Sequence, residues 1–308
     1  MNKVGIIGAG PAGLSCALWL KNLAFNPILI ERAGKPAEVV AKHYHPNNWL
    51  LGFGNIPGGE IRDRMVSHVA QQGINTLTGA SVTGIVRKSS GFVLELDHLN
   101  IEVDFLVIAT GASPACPSAL LDLSEKSPAT IQIGPENTNY LALHKKNVAI
   151  LGGGDNAFEH ACLLANQDNQ VTIFCRSFPR TRADFLKTAE THPNITIYTH
   201  CRTSNFDVIN NLVTFQSNNK PQQMDYLMVM YGFTPNTQWI EHAAPWMARL
   251  PNDSGFIQTD SHQRTPIPFV YAIGDVTSFQ TPCIPVAVAQ GAVAAKSIEF
   301  DSRNVHDQ

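Results

Sequence analysis

Closely spaced cysteines are missing from this chain: the six fall at positions 16, 116, 162, 175, 201 and 283, never closer than 13 positions. That excludes a C-x-x-C pair, the usual zinc spacings and a disulfide framework; it fits a reducing cytoplasm, and no metal site is expected. Blocks of like charge are missing too. Charged residues make up 15% of the chain, the net charge is −3, and Lys and Arg are scattered, so neither nucleic acid nor an anionic membrane surface is indicated. There is also no long unbroken apolar run. The stretch leading to Leu20 is interrupted by Gly5, Gly8, Gly10 and Gly13, which reads as neither a signal peptide nor a membrane span. What remains is a folded chain of 308 residues, 44% hydrophobic, long enough for two domains and suited to small-molecule and protein partners.

Glycine is concentrated where it carries information. The stretch from Val4 to Gly13 reads as an apolar strand, a G-x-G-x-x-G turn and the start of a helix over 11–23. In a dinucleotide site Gly8 permits the tight turn, Gly10 lets backbone approach a pyrophosphate, and Gly13 lets helix and strand pack closely. Pro11 and Ala12 open the helix whose free N–H groups would meet the phosphates. A second apolar strand, 28–30, ends in Glu31, 23 positions after Gly8, where an acid can bind both ribose hydroxyls. Taken without that context, the motif is also compatible with a glycine-rich turn that binds nothing.

The following segment, 32–59, is rich in Gly, Pro, Asn and His. A helix over 60–69 and short β-like runs at 74–77, 81–87, 92–96 and 101–103 come next, forming a meander that returns to the sheet. A buried strand at 105–108 ends on Ala109-Thr110-Gly111, again small enough for close backbone approach. Prolines 114, 117 and 128 mark a boundary.

A second strand, 147–151, leads into Gly152-Gly153-Gly154-Asp155-Asn156-Ala157, a G-x-G-x-x-A fingerprint lying 144 residues after the first. Two such units imply a flavin and a nicotinamide held by separate domains. In the second unit Cys175 stands where Glu31 stands in the first, and Arg176 follows at once, with Arg180 and Arg182 nearby. Guanidinium groups there pair with a 2′-phosphate; the alternative is a basic surface loop without a ligand. Strands over 195–198, 212–215 and 226–230 are expected to close this domain, with a further strand over 255–260. A last strand at 269–273 ends in Gly274-Asp275, and an alanine-rich helix spans 285–300.

With these residues in view the chain resembles the low-molecular-weight thioredoxin reductase family over nearly its whole length. The resemblance implies an α/β fold of two Rossmann-like domains, the second inserted in the first: an FAD domain at 1–113 and 238–308, and an NAD(P)H domain at 114–237. It implies that Asp275 holds the ribityl chain, that the backbone near Val82 meets the adenine, and that Arg32 flanks the acid at 31. Asn48 would lie near the isoalloxazine, with Cys283 and Ile284 facing the flavin pyrimidine. Family members are commonly homodimers. The dithiol of the disulfide-reducing members would fall near Pro135 and Thr138, neither of which carries redox chemistry. The scaffold without it resembles the ferredoxin or flavodoxin NADP reductases of thioredoxin-reductase type, some of which add aromatic stacking from their C-terminus; here the residues at 301–308 offer only His306.

The expectation is therefore an NADPH-dependent FAD oxidoreductase that passes electrons to a small carrier such as ferredoxin or flavodoxin, or to a small-molecule acceptor. The alternatives are a thiol or disulfide oxidoreductase using an isolated cysteine, with Cys283 as its candidate, and a flavin-binding sensor without turnover.

Overall fold

Val4, Ile6 and Ile7 are buried in β1 (Lys3–Ile7), a strand covered on both faces as parallel strands are. In this computed structural model, which describes residues 2–44, 46–136, 139–277 and 281–306, β1 runs through the glycine turn into α1 (Pro11–Asn22). Proline at the first helical position lacks only an N–H that no helix carbonyl could have used. Next come β2 (Asn26–Glu31), α2 (Glu38–Ala41), α3 (Gly58–Gln71) and β3 (Asn75–Thr78). Strands β4 (Val82–Arg87), β5 (Phe92–Leu96) and β6 (Leu99–Val103) form a separate antiparallel sheet, so only they make the meander; β3 instead joins the parallel sheet at its edge. The chain re-enters that sheet as β7 (Phe105–Ile108) and leaves through β8 (Ala112–Pro114).

After α4 (Ser118–Lys126) and β9 (Ile131–Ile133), the pattern repeats: β10 (Asn147–Leu151), α5 (Asp155–Ala165), β11 (Gln170–Phe174), α6 (Ala183–Thr191) and β12 (Ile195–Tyr198). The antiparallel strands β13 (Thr203–Ile209), β14 (Leu212–Ser217) and β15 (Lys220–Met224) precede β16 (Tyr226–Val229). The parallel sheet here has the order β12-β11-β10-β16-β9. Its residues alternate between two cores. Val148, Ile150, Val171 and Ile173 lie in one, and Ala149, Leu151 and Phe174 in the other.

The return passes through β17 (Phe233–Pro235), paired with β8, then α7 (Ile240–Ala243), β18 (Val270–Ala272) and α8 (Ile284–His306). Strand β18 completes the first parallel sheet in the order β18-β7-β1-β2-β3. The chain divides into two units, 1–113 with 235–308 and 114–234. The return joins the first unit from Pro235, three residues before the boundary read from sequence, because Asn236 is bonded there: its backbone N–H donates to the Gly111 carbonyl at 3.0 Å and its side-chain amide to the Thr110 carbonyl at 2.9 Å. The fold is α/β, with two Rossmann-like units and the second inserted in the first.

Two expectations need correction. Residues 255–260 form no strand. Gly255 is left-handed at φ +83°, Asn252 gathers the backbone N–H groups of Ser254 and Phe256 into a turn, and only Ile257 makes isolated bridges. The last helix also continues past Phe300 to His306, so 301–306 is not a tail.

Candidate functional site

The order of each parallel sheet reverses beside its first strand, and a crevice opens there at the carboxyl ends of the strands. In the first unit Gly8, at φ +107°, sits so close to β7 that a Cβ on it would lie 2.2 Å from the Ala109 carbonyl oxygen. A Cβ on Gly13 would lie 2.0 Å from the carbonyl oxygen of Gly8. Gly10 differs: nothing lies within 4 Å of where its Cβ would be, and the start of α1 has no side-chain cap. The uncapped start of α1 thus has open space beside Gly10, as a pyrophosphate cradle requires.

Glu31 is fixed beside this turn by two backbone donors, Ala9 N–H to Oε2 at 2.9 Å and Ala33 N–H to Oε1 at 2.8 Å. Each carboxylate oxygen keeps a further lone pair for a hydroxyl. The Ala80 N–H donates to the Glu31 carbonyl at 3.0 Å, which brings half-buried Val82, two residues on, to the same side. Arg32 is exposed. Thr110 and Gly111 follow β7, with the Thr110 hydroxyl donating to the Asn236 carbonyl at 2.7 Å.

Gly274 and Asp275 reach the same turn from β18. A Cβ on Gly274 would lie 2.9 Å from the Ala12 Cβ, and its N–H donates to Oε1 of buried Gln290 at 2.6 Å. The Asp275 carboxylate has no hydrogen-bond partner among the described residues. It is exposed, yet the surrounding protein dehydrates it enough to raise its pKa above the usual carboxylate value. A carboxylate so placed is suited to accept a hydroxyl from a polyol chain.

Ile284 opens α8 and packs on the core behind the glycine turn. Cys283 precedes it, half-buried, its carbonyl accepting the Ala287 N–H at 3.0 Å. Asn48 is exposed and uses its Oδ1 to accept the Asn55 N–H at 3.0 Å; no described contact joins it to the glycine turn. Thr138 lies outside the described residues, as does the side chain of His306.

The second unit repeats the cradle. A Cβ on Gly152 would lie 2.4 Å from the Met230 carbonyl oxygen, whereas Gly154 faces open space at the uncapped start of α5. Ala157 is buried against the sheet, as the third position of the fingerprint demands, and Asn156 lies in the first turn of α5. The loop after β11 is tied to this turn. Arg180 N–H donates to the Gly153 carbonyl at 2.7 Å, while Thr181 O–H and Arg182 N–H donate to Asp155 Oδ1 at 2.9 and 2.8 Å.

Asp155 is therefore a brace for the loop. The Arg182 guanidinium lies 3.9 Å from the Phe185 ring centroid and 3.1 Å from Asp184. Arg176 and Arg180 are exposed and carry no ion pair or side-chain hydrogen bond among the described residues.

Cys175 does not replace Glu31 at the surface. It is fully buried, its Sγ donates to the Gly152 carbonyl at 3.3 Å, and burial pushes its pKa up to about 11. The Cys201 N–H donates to the Cys175 carbonyl at 2.9 Å. The two side chains pack in different apolar clusters, yet they are close enough that Cys201 adds to the upward shift of the Cys175 pKa. Burial also raises the thiol pKa of Cys16, Cys116 and Cys162. All six cysteines are free.

The family's sequence profile, that of the pyridine nucleotide-disulphide oxidoreductases, matches residues 2–291. The chain belongs to this family. Among its relatives, a 34.2 kDa protein in the rubredoxin operon of Clostridium pasteurianum is 28% identical over 96% of this chain and 95% of its own length. A ferredoxin–NADP reductase of Limosilactobacillus fermentum is 28% identical, covering 94% of this chain and 89% of the relative. The structure of Lactococcus lactis thioredoxin reductase superposes with a TM-score of 0.84 at 22% identity, covering 99% of this chain and 100% of that one, which shows the shared fold. Members of the family bind FAD and depend on NADPH. The protein is accordingly an NAD(P)H-dependent oxidoreductase of thioredoxin-reductase-like architecture. Among the described residues no helix is long and apolar enough to cross a membrane, and no group of side chains could hold a metal ion.

Sequence reasoning missed Gln290, whose amide also donates to Thr277 Oγ1 at 3.3 Å and so fixes the turn that presents Asp275. A lone glutamine on an alanine-rich face was its only trace.

Proposed function

We propose that the first unit holds FAD and the second holds NADPH, and that electrons leave the flavin directly for an external acceptor, a small carrier protein of ferredoxin or flavodoxin type. The observation that carries this reading is a pair of glycine cradles in a chain whose six thiols are all free, the one backbone-adjacent pair, Cys175 and Cys201, being buried. When bound, the two cofactors supply hydride transfer and electron release; the chain supplies binding and placement.

In the first unit the N–H groups at the start of α1 take the pyrophosphate, Glu31 takes the ribose hydroxyls, and the dehydrated carboxylate of Asp275 accepts a hydroxyl of the ribityl chain. In the second unit the start of α5 takes the nicotinamide dinucleotide's pyrophosphate. Arg176 and Arg180 pair with the 2′-phosphate, for which an acid at position 175 would be repulsive and a buried cysteine is neutral. Purification tests the reading. The protein should be yellow, release FAD on denaturation, and bleach on anaerobic addition of NADPH. A colourless protein that neither binds FAD nor bleaches after reconstitution contradicts it.

A further inference from the structure

One aromatic ring near the second cradle has no part in the reading above. Phe178 stands between Arg176 and Arg180 on the loop after β11 and is 70% exposed. A single exposed apolar side chain is ordinary on a protein surface. This one is held in place. Its ring meets the His200 ring edge-to-face, centroids 4.5 Å apart at 90°. His200 is in turn fixed: its backbone is left-handed at φ +56°, its carbonyl accepts the Asn218 amide at 3.2 Å, and its Nδ1 lies 3.3 Å from Thr199 Oγ1.

The loop is fixed at its other end by the Arg180 bond to Gly153, with the Pro179 Cα 3.9 Å from where a Cβ on Gly153 would stand. A flat apolar surface is thus anchored beside the glycine turn and flanked in sequence by Arg176 and Arg180, whose guanidinium groups make no ion pair or hydrogen bond among the described residues. Such a combination matches the adenosine 2′-phosphate end of a nucleotide: a phosphate for the arginines and a π-face for the ring.

We propose that Phe178 is the platform on which the adenine of the pyridine nucleotide stacks, with His200 as the positioning residue that holds the ring. This rests on the second unit being the NADPH site. It separates two signals on one loop. The arginines read the 2′-phosphate and distinguish NADPH from NADH, whereas Phe178 contacts the base and strengthens both nucleotides equally.

The test is calorimetric titration of the purified protein with 2′,5′-ADP and with 5′-ADP, which needs no turnover. Phe178→Ala should weaken both fragments by about tenfold, a size typical of base stacking, and leave their ratio unchanged. Phe178→Trp should restore wild-type affinity, and Arg176→Ala should collapse the ratio instead. Unchanged binding of both fragments by Phe178→Ala overturns the platform while leaving the nucleotide site intact. Failure of the unsubstituted protein to bind either fragment at millimolar concentration overturns the NADPH assignment, and the platform with it.

Discussion

Gly10 and Gly13 stand three residues apart in one turn, yet a methyl group would meet open space at the first and the Gly8 carbonyl oxygen, 2.0 Å away, at the second. Gly10 has φ −73°, which alanine adopts freely. Gly10→Ala should therefore leave the stability of the apoprotein within about 0.5 kcal/mol of the original and still abolish FAD retention, since the methyl group would fill the space a phosphate needs. Gly13→Ala should cost about 1–3 kcal/mol in urea denaturation through overpacking. Equal FAD retention by Gly10→Ala and the unsubstituted protein would remove the first cradle from the account. In the second unit, Arg176→Ala should lower the NADPH-to-NADH ratio of kcat/KM by roughly ten- to a hundredfold, the worth of a charge-assisted contact. A ratio near one before substitution would contradict the phosphate assignment. Asp275 supplies a pH test. Its carboxyl holds a proton more tightly when folded than when unfolded, so its charge opposes folding once pH rises above the usual carboxylate range. Apoprotein carrying Asp275→Asn should melt at a higher temperature than the parent at pH 7, with the gap closing toward pH 4. A gap that widens in acid would show that Asp275 has a stabilising partner.

At the scale of elements, α8 is what holds the first unit's site together. A Cβ on Gly291 would lie 2.5 Å from the Ala12 carbonyl oxygen and 2.7 Å from the Cys16 backbone nitrogen, and the Ser15 hydroxyl donates to the Val288 carbonyl at 2.7 Å, so α8 and α1 touch backbone to backbone. Farther along, Asp301 takes both Arg264 Nε and Nη2 at 2.8 Å and the Tyr271 hydroxyl at 2.5 Å, tying the helix to β18. Burial pushes the Asp301 carboxyl up, but the Arg264 and Tyr271 bonds outweigh it and leave the group below the usual range. Its contribution is then present above the usual carboxylate pKa and lost as pH falls through the lowered one. Asp301→Asn should cost about 2 kcal/mol at neutral pH, shrinking in strong acid; thermal melts at pH 7 and pH 3 with an unchanged gap would refute this. These same contacts mark where sequence stopped being legible. The glycine turns and Glu31 could be read because their spacing is local and their chemistry forces the residue type. Nothing local announces that Gln290 meets Gly274, or that Asp301 continues a helix, since both depend on partners 16 and 37 residues away. The stretch 255–260 looked like a strand because Phe256, Ile257 and Thr259 favour extended backbone, but among the described residues only isolated bridges at Ile257 form there.

For the whole molecule, the two half-reactions separate cleanly. In the proposed function, reduction by NADPH depends on both cradles, and both were legible as motifs. Delivery to the acceptor depends on which surfaces and thiols reach the flavin, and sequence spoke there mainly through an absence. Disulfide exchange needs one thiolate to attack and a second thiol to resolve the mixed disulfide. Here Cys16, Cys175 and Cys201 are buried away from solvent, and all six thiols are free. The most direct measurement compares NADPH-driven turnover, in one preparation, with ferricyanide and a ferredoxin-linked cytochrome assay on one side and thioredoxin and a dithiobenzoate dye on the other, repeated with Cys283→Ser. Rapid one-electron acceptor reduction and negligible disulfide reduction are expected, both unchanged by the substitution. Rapid thioredoxin or dye reduction, lost on replacing any cysteine, would contradict that expectation.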